Sequence, residues 1–267
     1  MERRRYMTLL LTGAPCAGKS TIASLLGQLL SHPDTKIIIA PETATALILA
    51  QECAETDSEP MGPLEFQRLI LSEQVRVEND AREMAEALSA NGHDVLCVFD
   101  RGRRDGKLFC DASTWAAIDG DRISNSGQYD LVVHLTSLAV EAPALYDYAQ
   151  RQGQNEARRH TREQSAALCP QFATLYDDMP CVTISGSGDP MPCPTISPSA
   201  IPIASKLMGV LSQLHERVPS SMVHLKGRLR TELTHAVYAR AWYQVWIDLD
   251  ERDRADFEDW ASKRDAV

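Results

Sequence analysis

From Gly13 to Thr21 the chain reads GAPCAGKST, and the spacing Gly13-x-x-x-x-Gly18-Lys19-Ser20 constrains the fold more than any other feature. At average composition such a pattern arises by chance in roughly one chain in a hundred of this size. It requires a strand before it and a helix after it. YMTLLLT is a short β-type run ending at Gly13, and KSTIASLLGQLLSH carries apolar residues at Ile22, Leu25, Leu26, Leu29 and Leu30, the stripe of an amphipathic helix. Strand, loop and helix in this order make a P-loop. Its glycines let backbone N–H groups turn inward, and the helix start adds a partial positive charge. The spacing therefore predicts a nucleoside triphosphate with its phosphates against Gly13, Ala14, Pro15, Cys16, Ala17, Gly18, Lys19, Ser20 and Thr21. Lys19 would reach the terminal phosphates, and the Ser20 hydroxyl would hold Mg²⁺.

The runs that follow place further candidates at the same edge of an α/β sheet. Lys36 to Ala40 (KIIIA) reads as a second buried parallel strand that delivers Pro41-Glu42-Thr43 at its carboxyl end, where open α/β sheets bind ligands. Glu42 is either a base, a holder of substrate hydroxyls or metal-bound water, or a solvated acid capping a helix. A long helix is predicted from Pro63 to the Asn91-Gly92 stop, with Phe66, Ile70 and Val77 on its apolar face; Gln67, Gln74 and Glu78 either border the pocket or face water. Val95 to Phe99 reads as a central parallel strand ending in Asp100-Arg101, and a carboxylate at Asp100 can orient the water shell of magnesium. Arg101, Arg103 and Arg104 beside Asp105 either hold an anionic substrate or form surface ion pairs, the second reading being favoured for Arg103 and Arg104. Glu42 or Asp105 would orient water or an acceptor hydroxyl.

Tyr129 to Leu135 and Cys181 to Gly186 supply two more strands, and the Pro- and Ser-rich stretch at about 186–202 reads as an irregular loop. The polar helical stretch from Leu145 to Leu168 contains Arg151, Arg158, Arg159 and Arg162. It is either a segment that closes an arginine over the nucleotide or a wet helix face, the second reading being the default for any single arginine. A helix with Ile203, Leu207, Val210, Leu211 and Leu214 on one side follows. The fold predicted is α/β: an open parallel sheet flanked by helices, in a P-loop domain over residues 1–218, with a helical C-terminal extension over 219–267.

Composition bounds the function class. With 267 residues, 44% hydrophobic and 24% charged, the chain can bury a full core as a soluble globule. A net charge of −10 argues against a general nucleic-acid binder. No stretch approaches the ~20 apolar residues of a membrane span, and a secretory cleavage after MERRRYMTLLLTG would destroy the loop. Seven scattered cysteines without a Cys-x-x-Cys pair read as reduced thiols, which points to the cytoplasm. The extension carries Trp242, Trp246 and Trp260, and it either packs on the main domain or presents a partner- or lipid-facing helix. The absence of an Asn-Lys-x-Asp motif tilts the base preference toward adenine.

TGAPCAGKST, APETATALIL, FQRLILSEQVRVEN, FDRGRRDGKLF and YDLVVHLTS together resemble, in the same order, the P-loop ATPase domain shared by the TRPL translocation defect protein and nicotinamide riboside kinases of the NadR type. The resemblance covers approximately Met7 to Leu214 and implies a nucleotide-binding parallel-sheet domain with Asp100 near magnesium. It implies two activities: GTP and phosphoinositide binding on the TRPL side, ATP and a nucleoside substrate on the kinase side. Relatives often carry an ARSE-like arginine where this chain has Gly153-Gln154-Asn155-Glu156, so the arginine that would close on the phosphates is either missing or replaced by Arg158 or Arg159. TRPL-like proteins also continue into a barrel domain for which the residues after Pro219 are too few. Two functions are thus expected. One is Mg-dependent triphosphate binding with slow hydrolysis or kinase-like transfer to a small-molecule acceptor. The other is a nucleotide-dependent switch that binds a protein or phosphoinositide partner.

Overall fold

Three runs of the chain are apolar almost without interruption, at residues 6–12, 94–100 and 131–135, so each must be covered on both faces. In the computed structural model, which describes residues 5–54, 61–146, 160–186 and 201–248, they form the centre of one sheet. Its strands are β1 (Tyr6–Thr12), β2 (Thr35–Ala40), β3 (Asp94–Asp100), β4 (Leu131–Leu135) and β5 (Cys181–Ile184), in the order β2-β3-β1-β4-β5 and parallel throughout. The described helices are α1 (Lys19–Leu30), α2 (Thr43–Ala54), α3 (Pro63–Ala90), α4 (Ala112–Ala117), α5 (Gly120–Ser124), α6 (Leu138–Glu141), α7 (Arg162–Thr174), α8 (Ile201–Arg217) and α9 (Val223–Asp248).

Side-chain alternation along the strands divides the core between the two faces. Leu9, Leu11, Leu96, Val98 and Val133 pack with Ile22, Leu26 and Leu30 of α1 and with Val210, Leu211 and Leu214 of α8. Leu10, Val95, Cys97, Phe99 and Val132 pack on the other side with Ala81 and Ala85 of α3, Tyr129 and Tyr176. The first turns of α9 belong to the α1 side, where Val218, Met222, Leu225 and Leu229 are buried. Asp94, at the amino end of β3, caps that helix: its Oδ2 accepts from the backbone N–H groups of His224 (2.7 Å) and Leu225 (3.0 Å), and its Oδ1 accepts from Arg5 Nη2 (2.8 Å). The tryptophans of the extension lie outside the residues whose side chains are described.

One sequence expectation is corrected. β2 is parallel but is an edge strand among the described residues, half-buried, with Ile39 39% exposed, because β3 is its only neighbour among the described strands. The site follows from the topology. β2 and β3 lie to one side of β1 and β4 and β5 to the other, so the strand order reverses around β1, and open α/β sheets bind ligands beyond the carboxyl ends at such a point. Register brings Leu11 level with Asp100 and Ala40 level with Phe99, so the residues after β1, β2 and β3 emerge at one edge.

Candidate functional site

The loop after β1 adopts backbone angles that its glycines permit. Gly13 has φ +143° and Gly18 φ +89°, and a Cβ on Gly13 would stand 2.4 Å from the Leu135 carbonyl oxygen of β4. Cys16 also has positive φ, +59°. Gly18 caps α1 without a side-chain hydrogen bond, and no acidic residue sits in the first turn, so the helix presents its N-terminal donors and dipole to the site. Lys19 is buried and curls back, its Nζ donating to the carbonyls of Gly13 (2.9 Å) and Ala14 (3.4 Å). Burial, and then the charge of Arg101, lower its pKa to about 8, while Asp100, Glu42 and Asp105 hold it up. Ser20 and Thr21 are exposed at the start of α1.

Asp100 ends β3 and is 3% exposed, and its Oδ1 has no hydrogen-bond partner among the described residues. Burial pushes its carboxyl above the usual range, against the pull of Lys19 and a hydrogen bond from Ser20. A buried carboxylate oxygen without a donor, beside a serine hydroxyl, suits a hard divalent cation. Mg²⁺ takes one or two protein oxygens and completes its shell with phosphate and water, so the pair fits it. Among the described residues no cluster of three or more His, Cys, Asp or Glu side chains is placed to hold a metal.

Arg101 is the hub of the remaining charges. Its backbone is left-handed (φ +82°), and its carbonyl accepts from Gln74 Nε2 at 2.9 Å. The guanidinium lies 5.0 Å from the Phe109 ring and 5.9 Å from Phe172, donates through Nε to Glu42, reaches the Gly13 carbonyl at 3.4 Å, and stands 3.6 Å from Asp105 Oδ2. Burial alone would raise the pKa of Glu42, but the charges of Arg101 and Lys19 overcome it and bring it down to about 2. Asp105 is buried and held by Thr12 Oγ1 (2.9 Å) and Tyr176 OH (2.9 Å); burial pushes its carboxyl up. Its oxygens are thus engaged by two hydroxyls, with the Arg101 guanidinium 3.6 Å away.

Lys19, Ser20, Thr21, Glu42, Arg101 and Asp105 line a cavity of about 270 Å³, and Asp100 is not part of its lining. Pro15 to Thr21 and Glu42 share its lining with Phe66, Ile70, Leu71, Phe109, Trp115, Gln67 and His160. Arg103, read from sequence as a surface residue, is instead 4% exposed: Nε donates to Glu78 (2.9 Å), Nη1 to Ser126 (2.7 Å) and Nη2 to Asn79 (2.9 Å). Arg104 pairs with the exposed Asp178. Sequence reasoning also missed the weight of Gln74 and Glu78, 4% and 0% exposed, which share the buried line of α3 with Leu71, Ala81 and Ala85. Gln74 accepts from Thr43 Oγ1 at 3.0 Å and donates to Glu78 Oε1 at 3.1 Å, so it ties the segment bearing Glu42 to the one bearing Arg101. Arg158, together with Arg151, Arg159 and residues 153–156, lies outside the described residues, as does most of the Pro- and Ser-rich stretch.

No curated protein matches the sequence. Among solved structures, a thymidylate kinase from Ehrlichia chaffeensis is 13% identical with a TM-score of 0.47, covering 78% of this chain and 98% of that one. A deoxyadenosine kinase from M. mycoides with bound dATP is 15% identical with a TM-score of 0.48, again over 78% of this chain and 98% of that one. No helix among the described residues is long and apolar enough to cross a membrane. Residues 8–190, more than half of the chain, match the family described as AAA domain, and with its P-loop at the carboxyl edge of a parallel sheet the chain belongs to that family.

Proposed function

We propose that the chain binds a purine nucleoside triphosphate, ATP or GTP, at Gly13 to Thr21 and transfers the terminal phosphate to the hydroxyl of an uncharged small molecule held in the adjoining chamber. The observation that carries this reading is the cavity itself. Pro15 to Thr21 and Glu42 line it together with Phe66, Ile70, Phe109 and Trp115, and so it offers room for an acceptor beside the phosphate cradle. Water alone would need no such space; slow hydrolysis is the same chemistry without an acceptor.

The roles follow from charge. The loop amides, the start of α1 and Lys19 neutralise the phosphates, Lys19 exchanging the carbonyls of Gly13 and Ala14 for the ligand. Mg²⁺ held by Ser20 and Asp100 would neutralise further phosphate charge. Glu42, ionised at any physiological pH, accepts the hydrogen bond of the acceptor hydroxyl and orients it. A pKa near 2 makes it a weak base, which is no obstacle, because a loose phosphoryl-transfer transition state demands little proton abstraction. The acceptor oxygen bonds to the γ-phosphorus as the bridging P–O bond breaks; the nucleoside diphosphate leaves, and the hydroxyl proton passes to Glu42 or to solvent. Asp105 keeps Arg101 between the loop and Glu42.

The chamber also favours a class of acceptor. Arg101 is paired with Glu42 and Arg103 with Glu78, so among the described residues lining it neither cation is left for a phosphate on the acceptor. Aromatic walls suit a flat ring, as in a nucleoside-like alcohol; a sugar-like alcohol is the other candidate. The test is release of ADP or GDP with Mg²⁺ in the presence of a panel of nucleosides and sugars and of their monophosphates. An uncharged alcohol should raise turnover at least about tenfold over water while its monophosphate does not. A panel without effect contradicts the transfer reading.

A further inference from the structure

A P-loop can aim its amides inward only if its carbonyls point outward and find donors there. In this chain five consecutive carbonyls find donors, the last three of them on residues outside the loop. Gly13 accepts from Lys19 Nζ (2.9 Å), Ala14 from the Ala17 N–H (3.3 Å), Pro15 from Ser137 Oγ (2.5 Å), Cys16 from the Leu138 N–H (3.2 Å) and Ala17 from Lys206 Nζ (3.3 Å). The first two donors belong to the loop and the next two to the turn after β4. The last comes from α8, 189 positions away, and lies outside every motif in the sequence.

Lys206 is 1% exposed: besides Ala17 its ammonium donates to the Thr136 carbonyl (2.5 Å), and it stands 2.8 Å from Glu141 Oε2 as an ion pair. Glu141 is itself buried, and its Oε1 accepts from the Gly186 N–H (2.6 Å) at the end of β5. One ion pair therefore joins the loop, the ends of β4 and β5, α6 and α8. The helix touches the loop a second time, since Ile203 Cδ1 lies 2.3 Å from where a Cβ on Gly18 would stand. Burying an ion pair rarely adds stability over a well-packed apolar side chain. What an apolar residue at 206 could not do is satisfy two carbonyls at the back of the loop. Glu141 cancels the charge that Lys206 brings, so orientation is what the lysine contributes.

We propose that Lys206, held by Glu141, is a positioning residue for the phosphate loop: by fixing the Ala17 peptide from behind, it keeps the loop amides aimed at the triphosphate. The inference rests on the nucleotide reading above only for its consequence; the loop geometry is testable without ligand. Full-length wild type, Lys206→Met, Lys206→Arg and Glu141→Gln are compared in two assays. The first is amide hydrogen exchange without nucleotide at Ala17 and Leu138, whose N–H groups bond to the Ala14 and Cys16 carbonyls. Lys206→Met should accelerate both at least about tenfold while leaving the amides of α3 unchanged, which a general loss of stability would not do. The second is calorimetric titration with Mg·ATP, in which Lys206→Met should bind at least about tenfold more weakly and Lys206→Arg recover most of the loss. Glu141→Gln, which leaves the lysine without its counter-charge, should show both effects at about threefold or more and serves if Lys206→Met does not fold. Wild-type exchange at Ala17 and Leu138 in a folded Lys206→Met or in Glu141→Gln overturns the proposal. A wild-type protein that binds no nucleotide overturns the functional reading instead, and the exchange data then decide on Lys206 alone.

Discussion

Replacing Gly13 with alanine should damage this protein far more than one added methyl implies. At φ +143° the backbone lies where an L side chain is strained, at a cost of about 1–3 kcal/mol. The new Cβ would also stand 2.4 Å from the Leu135 carbonyl oxygen and 3.2 Å from Ala17 Cβ. The nearer obstacle is backbone of the buried strand β4, which cannot swing aside as a flexible side chain can, and forcing such a contact adds about 1–3 kcal/mol. The sum is about 2–6 kcal/mol, and at roughly 2–4 °C per kcal/mol for a chain somewhat under this size the melting temperature should fall by at least about 4 °C. Gly227→Ala is the control. Gly227 lies in α9 with nothing within 4 Å of an added Cβ, so alanine there should stabilise by about 0.5–1 kcal/mol through helix propensity. Thermal unfolding followed by circular dichroism at pH 7 reads both. A Gly13→Ala protein that melts within about 1 °C of wild type would refute the reasoning, because neither the angle nor the contact could then be as described.

Two further perturbations separate the sheet from the site. His134 is buried on β4, with Nδ1 3.3 Å from Thr183 Oγ1 and Nε2 3.8 Å from Cys169 Sγ; burial first, then the charges of Lys19 and Lys206, bring its pKa down to about 4, with Glu141 opposing. The unfolded chain takes up a proton near pH 6.5, which the folded chain resists. Stability is therefore fully present above that value and falls as the pH drops toward 4, by about 2 kcal/mol at pH 5. The urea midpoint of His134→Gln should depend less on pH across this window; parallel pH profiles would contradict it. Asp94→Ala removes the cap on α9 and the partner of Arg5, and should cost about 2–3 kcal/mol in urea unfolding. Triphosphate affinity should be unchanged in that variant, because Asp94 lies at the opposite end of β3 from Asp100; weakened binding would show that the two ends are coupled.

The elements that sequence reasoning placed well are those whose signal is local. The Gly13 to Ser20 spacing sits between a strand and a helix, α3 opens with Pro63 and closes at Asn91-Gly92, and β3 and β4 are continuous apolar runs. What escaped depends on partners distant in the chain. The run at Lys36 to Ala40 is apolar whether it has one neighbour or two, so its edge position could not be read from it. Gln74 and Glu78 look like one wet stripe of a polar helix until Tyr129 and Arg103, 51 and 25 positions from Glu78, are seen to bond to it. Lys206 falls among Ile203, Leu207 and Val210 as an apparent break in an apolar stripe. Only the Ala17 and Thr136 carbonyls explain a lysine there.

The phosphate cradle is tested most directly by calorimetric titration of the full-length protein with ATP and with GTP, each with and without Mg²⁺, beside a Lys19→Ala variant. Removing one charged donor from a buried phosphate contact is worth about 1.5–3 kcal/mol. At least one triphosphate should therefore bind in a magnesium-dependent manner, about 10–100-fold more weakly to Lys19→Ala. Absence of binding by both triphosphates, or an affinity indifferent to Lys19, would contradict the account.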